Sequence, residues 1–278
     1  MNYITGEKIQ ELTDHTIITH GQYYADEQLK RINCKYTYFD QNKPITQLSD
    51  DILNAKSVFV YTHILDFFFN KIYPLLTQPF ILVSHNSDDA VTEKYIKYLN
   101  ESKIINWYSQ NVNYKHEKLI SLPIGIANSQ WPHGDLSIID KIRNQKNTKE
   151  ALVYKNFTLS TSVYRKQIDI LTNQNGIMMD IPQDYSMYLT KTSKSLFCIC
   201  PVGNGIDSHR IWECLYLNTI PILDDCINFR FYEDLPMLYV DNWSKITPEY
   251  LMEVYNKIIN RKLNLEKLDL NFWRGKLC

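Results

Sequence analysis

Residues 194–225, Lys-Ser-Leu-Phe-Cys-Ile-Cys-Pro-Val-Gly-Asn-Gly-Ile-Asp-Ser-His-Arg-Ile-Trp-Glu-Cys-Leu-Tyr-Leu-Asn-Thr-Ile-Pro-Ile-Leu-Asp-Asp, constrain the fold most, because they spell strand, loop, helix and strand. Residues 195–200 form a short apolar run stopped by Pro201. Gly203-Asn204-Gly205 can take backbone angles closed to bulkier residues, and Asp207 or Ser208 can cap a helix reaching about Asn218. Such a loop brings a helix N-terminus to the carboxyl end of a strand. Free N–H groups and the helix dipole attract phosphate there, and Arg210 in the first turn adds a permanent positive charge. His209, Arg210 and Glu213 project from neighbouring positions of this helix, while Ile211, Cys214 and Leu215 keep core spacing. A carboxylate one turn below a bound phosphate can accept hydrogen bonds from ribose hydroxyls, so Glu213 is a candidate ribose clamp. The plainer alternative is a glycine turn followed by a weak surface Arg210–Glu213 pair.

The rest of the chain accommodates that unit in an α/β fold. Apolar runs at 16–19, 57–62, 80–84, 104–108 and 118–124 alternate with segments of mixed polarity, the pattern of a parallel sheet with helices on both faces. The pattern breaks over 128–150 and restarts at Ala151, with further runs at 176–181 and strands near Ser195, Ile220 and Met237. Residues 1–140 and 150–278 are therefore expected as two Rossmann-like domains, and 278 positions with 44% hydrophobic residues suffice for both cores. Leu251, Val254, Tyr255 and Ile258 predict a helix over 248–261, after which Phe272-Trp273 either docks back on the first domain or belongs to an ordinary covering helix.

Charge and composition exclude some partners. A net charge of −1 leaves no basic footprint for nucleic acid. No segment approaches ~18 consecutive apolar residues and the first residues lack a signal-peptide pattern, so no membrane span and a cytoplasmic location are expected, with the six cysteines reduced. Only 7 of the 30 basic residues are arginine, which singles out Arg165 and Arg210 near loops.

Three apolar runs of the N-terminal half end alike, in Thr19-His20, Thr62-His63 and Ser84-His85. In a parallel sheet this sets three imidazoles on the rim where α/β folds bind ligands, with Asp66, Asp88 and Asp89 nearby. Each histidine by itself also suits a structural role. Cys198, Cys200, Cys214 and His209 could be grouped as a zinc set. The Cys-x-Cys pair lies inside an apolar strand rather than on a knuckle loop, so buried thiols and no metal are expected.

Cys200-Pro-Val-Gly-Asn-Gly-Ile-Asp-Ser-His-Arg-Ile-Trp-Glu, followed by Thr219-Ile-Pro-Ile, resembles the donor-site motif of exostosin-like (family 47-type) glycosyltransferases. Phe80-Ile-Leu-Val-Ser-His-Asn-Ser-Asp-Asp, Trp107-Tyr-Ser-Gln-Asn and Leu122-Pro-Ile-Gly-Ile-Ala-Asn-Ser-Gln-Trp-Pro-His-Gly resemble the small members encoded by large DNA viruses of algae. The likeness covers roughly residues 55 to 245. It implies a GT-B-like fold, with two Rossmann-like domains facing each other across a cleft. The implied donor is a nucleotide-sugar, UDP-xylose as the best guess because some viral relatives transfer xylose to a capsid glycan. Its implied ligands are Asn156, Arg165, Pro201, Gly203, Asn204, Gly205, Asp207, Ser208, His209, Arg210 and Glu213. The acceptor, an oligosaccharide or glycoprotein, is expected beside His20, His63 and Asp66, and the host cytoplasm is the location if the chain is viral.

An inverting transfer, the outcome the resemblance implies, needs a base within reach of the acceptor hydroxyl and positive groups where the diphosphate leaves. Asp88, or His85 beside it, is the expected base, with Asp89 next to them in the catalytic set, and Arg165, Arg210 and the helix N-terminus are expected to hold the diphosphate. Asp88 and Asp89 equally suit capping a helix over 90–98. The chain contains no Asp-x-Asp, so neither a metal nor another cofactor is expected. The competing reading is a nucleotide-sugar or glycan-binding module without turnover, which needs Arg210 and Glu213 but not Asp88 or His85. A phosphotransferase is disfavoured by the lack of a Gly-x-x-x-x-Gly-Lys loop.

Overall fold

In the computed structural model, which describes residues 2–21 and 23–277, the chain divides into two compact units. The first is Met1–Gly134 with Asp269–Cys278, and the second is Asp135–Leu268. The division differs from the linear one at 140–150: the junction falls at Gly134–Asp135, and the C-terminal residues return to the first unit. Cys278 lies outside the described residues.

In the first unit the apolar runs become β1 (His15–Thr19), β3 (Ser57–Tyr61), β4 (Phe80–His85), β5 (Ile104–Ser109) and β6 (Leu119–Ser121), and Tyr36–Phe39, outside those runs, forms β2. They form one parallel sheet in the order β2-β1-β3-β4-β5-β6. β1 and β3 are buried at every position, which explains why they read as continuous runs rather than alternating ones. Short helices α1 (Gly6–Glu11), α2 (Tyr23–Leu29), α3 (Asp50–Leu53), α4 (Leu65–Phe67) and α5 (Ile96–Leu99) fill the connections. The chain steps from β1 to β2 on one side and to β3 on the other, so a topological switch point lies between the carboxyl ends of β1 and β3. Below it, Trp107 is fully buried and donates Nε1–H to Ser84 Oγ at 2.8 Å, while Phe69 stacks on Tyr98 with centroids 4.0 Å apart.

The second unit holds α6 (Leu136–Asn144), β7 (Ala151–Tyr154), α7 (Val163–Gln174), α8 (Tyr185–Ser193), β8 (Ser195–Ile199), α9 (His209–Tyr216), β9 (Ile220–Asp224), β10 (Leu238–Val240) and α10 (Pro248–Ile259). Its four strands are parallel in the order β10-β9-β8-β7. Pro248 at the helix start and Thr247 Oγ1, which accepts from Tyr250 N at 3.2 Å, begin α10, and Leu251, Val254 and Ile258 bury against Phe197, Ile199 and Ile222. The run at 176–181 is irregular chain instead of a strand. Gly176, at φ 78°, ends α7 in the left-handed region and lets Ile177 turn into the core. The helix expected over 90–98 shortens to a 3₁₀ turn, Glu93–Tyr95, continued by α5. Thr92 holds its N-cap position, so neither Asp88 nor Asp89 caps it. Among the described residues no helix is long and apolar enough to cross a membrane.

α11 (Leu270–Leu277) belongs to the first unit, where Leu270 N–H donates to Asn2 O at 2.9 Å. Trp273 is buried there, edge-on to Tyr108 with centroids 6.4 Å apart. Trp273→Ala is expected to cost about 3–5 kcal/mol in urea unfolding; a loss under 1 kcal/mol would show that α11 contributes little to that core.

Candidate functional site

The parallel arrangement brings the carboxyl ends of β7, β8 and β9 to one edge of the second unit. From that edge β8 runs into residues 200–208 and then α9. Ser208 takes the N-cap position, extended at φ −139° and ψ 145°, without a side-chain capping bond. Asp207 does not lie open to a ligand: it is buried, and both carboxylate oxygens accept from Trp212 Nε1, at 2.8 and 3.0 Å. Asn204 is exposed, and Val202, Gly203, Ser208, His209 and Arg210 are partly so.

Arg165 braces this loop. It sits in the first turn of α7, whose N-cap Ser162 accepts from its backbone N–H at 3.2 Å. Its guanidinium donates to Val202 O at 2.9 Å and Pro201 O at 3.5 Å, and to Thr161 Oγ1 at 3.2 Å. A Cβ at position 203 would lie 3.1 Å from Arg165 Nη2, so glycine there is what lets the guanidinium close on the loop. Burial lowers the Arg165 pKa to about 10, and the charge of Arg210 pushes it the same way.

Arg210 donates from Nη1 to the backbone carbonyl of Asn156 and lies 5.2 Å from the centre of the Tyr188 ring. Burial alone lowers its pKa, but Tyr188, Cys198, Cys200 and Glu213 raise it above the usual arginine value. Among the described residues neither Arg165 nor Arg210 is ion-paired with a carboxylate. Asn156 itself holds the end of β7 in place, its Nδ2 donating to Ile181 O at 2.9 Å and Tyr154 Oη at 3.1 Å.

Glu213 is not half of a surface pair. It is 4% exposed and accepts from Tyr185 Oη and Tyr188 Oη, each at 3.0 Å. Burial raises its pKa, against the opposing pull of Arg210 and the two hydroxyls. Two of its roughly four lone-pair directions are thus occupied, and a ribose contact has to share the carboxylate with the tyrosines. Sequence reasoning missed Tyr185 and Tyr188. The available signal was Asp184, which caps α8 by accepting from Met187 N at 2.9 Å, with tyrosines three residues apart behind it. Asp224, at the end of β9, is taken up by Trp243 Nε1 at 2.7 Å and by Tyr164 Oη, and Asp225 by Arg230 at 2.5 Å.

In the first unit His20 and His63 flank the switch point. His20 is exposed and stacks on Tyr38 at 5.1 Å. His63 has its pKa lowered by desolvation from the residues packed beneath it, with the Asp89 carboxylate acting in the opposite direction. His85 is a correction to the expected base. It is fully buried, with Nε2 3.0 Å from Pro123 O and Nδ1 3.0 Å from Asn86 Oδ1, so both ring nitrogens are engaged. Asp66 is engaged as well, by Lys94 at 2.5 Å and Tyr95 Oη at 3.1 Å. Asp88 and Asp89 are exposed in the loop after β4.

Two polar groups not foreseen from the sequence lie on the same rim. Thr62 Oγ1 and Asn86 Nδ2 are buried without a hydrogen-bond partner, directly after the paired residues Tyr61 and His85. An unmade buried hydrogen bond costs about 1–3 kcal/mol, and a hydroxyl-rich ligand can supply the missing partners. A cavity of about 710 Å³ lined by Asp14, Lys35, Asp51 and Lys56 lies at the opposite, amino ends of β1 and β3, away from these groups.

The raised pKa of Glu213 gives a signed prediction. The folded protein keeps this proton above pH 4.5, where the unfolded chain releases it, so the group's contribution to stability falls as pH rises toward the folded pKa. The stability advantage of wild type over Glu213→Gln is therefore expected to shrink as pH rises from about 4.5; an advantage that grows with pH in denaturant titrations would contradict the burial argument. No known family model matches the sequence, and a comparison with curated proteins finds no match.

Proposed function

We propose that the chain is an exostosin-like, GT-B-like glycosyltransferase whose second unit binds a nucleotide-sugar. The observation that carries this reading is the pair Arg165 and Arg210, two guanidiniums without a carboxylate partner beside the N-terminus of α9. Two like charges placed together favour an anion, and a diphosphate supplies acceptor oxygens that suit guanidinium forks. Glu213, with Tyr185 and Tyr188, offers the sugar or ribose hydroxyls a buried polar contact.

The acceptor belongs to the first unit, at the rim carrying His20, His63, Asp66, Thr62 and Asn86, with Asp88 or Asp89 as the base. The leaving diphosphate is neutralised by arginine rather than by a metal, in keeping with the engagement of Asp224 and Asp225 elsewhere. UDP-xylose is the proposed donor, transfer inverts the anomeric centre, and a cytoplasmic setting accords with free thiols at the described cysteines. A second reading, a nucleotide-sugar or glycan-binding module without turnover, draws support from the enclosure of His85, which leaves Asp88 and Asp89 of the three expected bases.

Calorimetry with UDP, UDP-xylose and UDP-glucose tests donor binding. Arg210→Lys and Arg210→Ala are expected to weaken it, the latter by about 10- to 100-fold, as for loss of a charged hydrogen bond of ~1.5–3 kcal/mol. Release of UDP from UDP-xylose is expected to rise with fucose-bearing glycan acceptors, to persist in chelator, and to vanish in Asp88→Asn while donor binding survives. Binding without release would favour the module, and no nucleotide binding at all would remove the donor site on which the transferase reading rests.

A further inference from the structure

Cys198 and Cys200 stand two residues apart at the end of β8 and so share one face of the chain, and Cys214 comes to them from α9. The three Sγ atoms lie within 4.8 Å of one another, and Cys200 Sγ is 3.8 Å from Cys214 Sγ. All three side chains are buried, at 0–1% exposure. His209, the fourth member of the zinc set considered from the sequence, is not part of this group. An ion held by three thiolates in a plane, with metal–sulfur bonds of about 2.3 Å, keeps its sulfurs about 4 Å apart. The cysteines therefore already stand near the separation such an ion needs, whereas a disulfide would require about 2.05 Å.

We propose that Cys198, Cys200 and Cys214 form a trigonal thiolate site for one soft d¹⁰ cation of the copper(I) class. Soft thiolates select such ions over magnesium or calcium, and three sulfurs without an oxygen ligand suit a low coordination number. The charge of three thiolates around one monovalent ion is offset by two neighbouring cations. Arg210 acts on Cys198 and Cys200, and Lys149 acts on Cys214. On coordination each thiol that is still protonated releases its proton to solvent, and neither an oxidant nor a reductant is consumed. Because the sulfurs are enclosed, the ion enters during folding or when residues 201–208 open. Once bound it pins the end of β8 to the helix that carries Arg210 and Glu213.

The test is an anaerobic titration of the reduced full-length protein with copper(I) against a coloured copper(I) chelator, together with X-ray absorption at the copper edge. One copper per chain is expected, with three sulfur neighbours at about 2.3 Å. That copper should be lost in Cys200→Ala and Cys214→Ala and kept in the double variant Cys34→Ala with Cys226→Ala. The absorption spectrum needs no variant, so it decides the matter even if a cysteine replacement misfolds. Two sulfur neighbours, nitrogen or oxygen ligation, or copper retained by a folded Cys200→Ala protein would overturn the site. So would failure to hold stoichiometric copper. Nucleotide binding plays no part in these readouts, so their outcome is separate from that of the proposed transferase.

Discussion

Arg165 and Arg210 form the constraint on which the second unit's edge depends. Burying a guanidinium without a carboxylate is costly unless its N–H groups find acceptors. Arg165 finds them in the carbonyls of Pro201 and Val202, so the loop after β8 is shaped around a charge rather than around an apolar plug. Gly203 leaves the space that this approach needs. The two arginines shift in opposite directions because their surroundings differ. Glu213 and Tyr188 help to raise Arg210, while Arg165 is lowered by burial and by the repulsion of Arg210. A fixed positive field beside a helix N-terminus is the consequence, and it is what makes a diphosphate the proposed occupant.

Beneath Arg210 the polarity alternates in layers. The guanidinium lies over the Tyr188 ring, the Tyr188 hydroxyl donates to Glu213, and Tyr185 donates to the other oxygen of the same carboxylate. The helix face that presents the arginine is therefore tied to α8 through a satisfied buried network, which holds its members in one arrangement. In the first unit the situation is reversed. At the ends of β3 and β4, Thr62 Oγ1 and Asn86 Nδ2 lack partners, while the neighbouring His85 is fully engaged. Polar capacity at the ends of these two strands thus resides in a hydroxyl and an amide rather than in the His85 imidazole.

The sequence reveals the parts whose cause is local. β8, the glycine loop and α9 follow from an apolar run, a proline stop and helical spacing, and β1, β3, β4 and β5 follow from runs buried on both faces. It hides the parts whose cause is distant. β2, with no fully buried position, carries no strong apolar signal, and the 176–181 run looks like a strand although only Ile177 needs burial. Asp207 looks like a helix cap until Trp212, five residues on, claims its carboxylate. The tyrosines that hold Glu213 lie 25 and 28 residues away, beyond any spacing rule within one helix. The return of α11 to the first unit likewise rests on Trp273 and Tyr108, which only the fold brings together.

The central claim is that an anionic diphosphate is held by the 200–208 loop, Arg165 and the start of α9. Amide hydrogen exchange of the full-length chain with and without UDP measures this most directly, because protection is read peptide by peptide. The account predicts slower exchange across residues 202–211 and around Arg165. Unchanged exchange there at a UDP concentration that saturates binding, with protection confined to other segments, would contradict it.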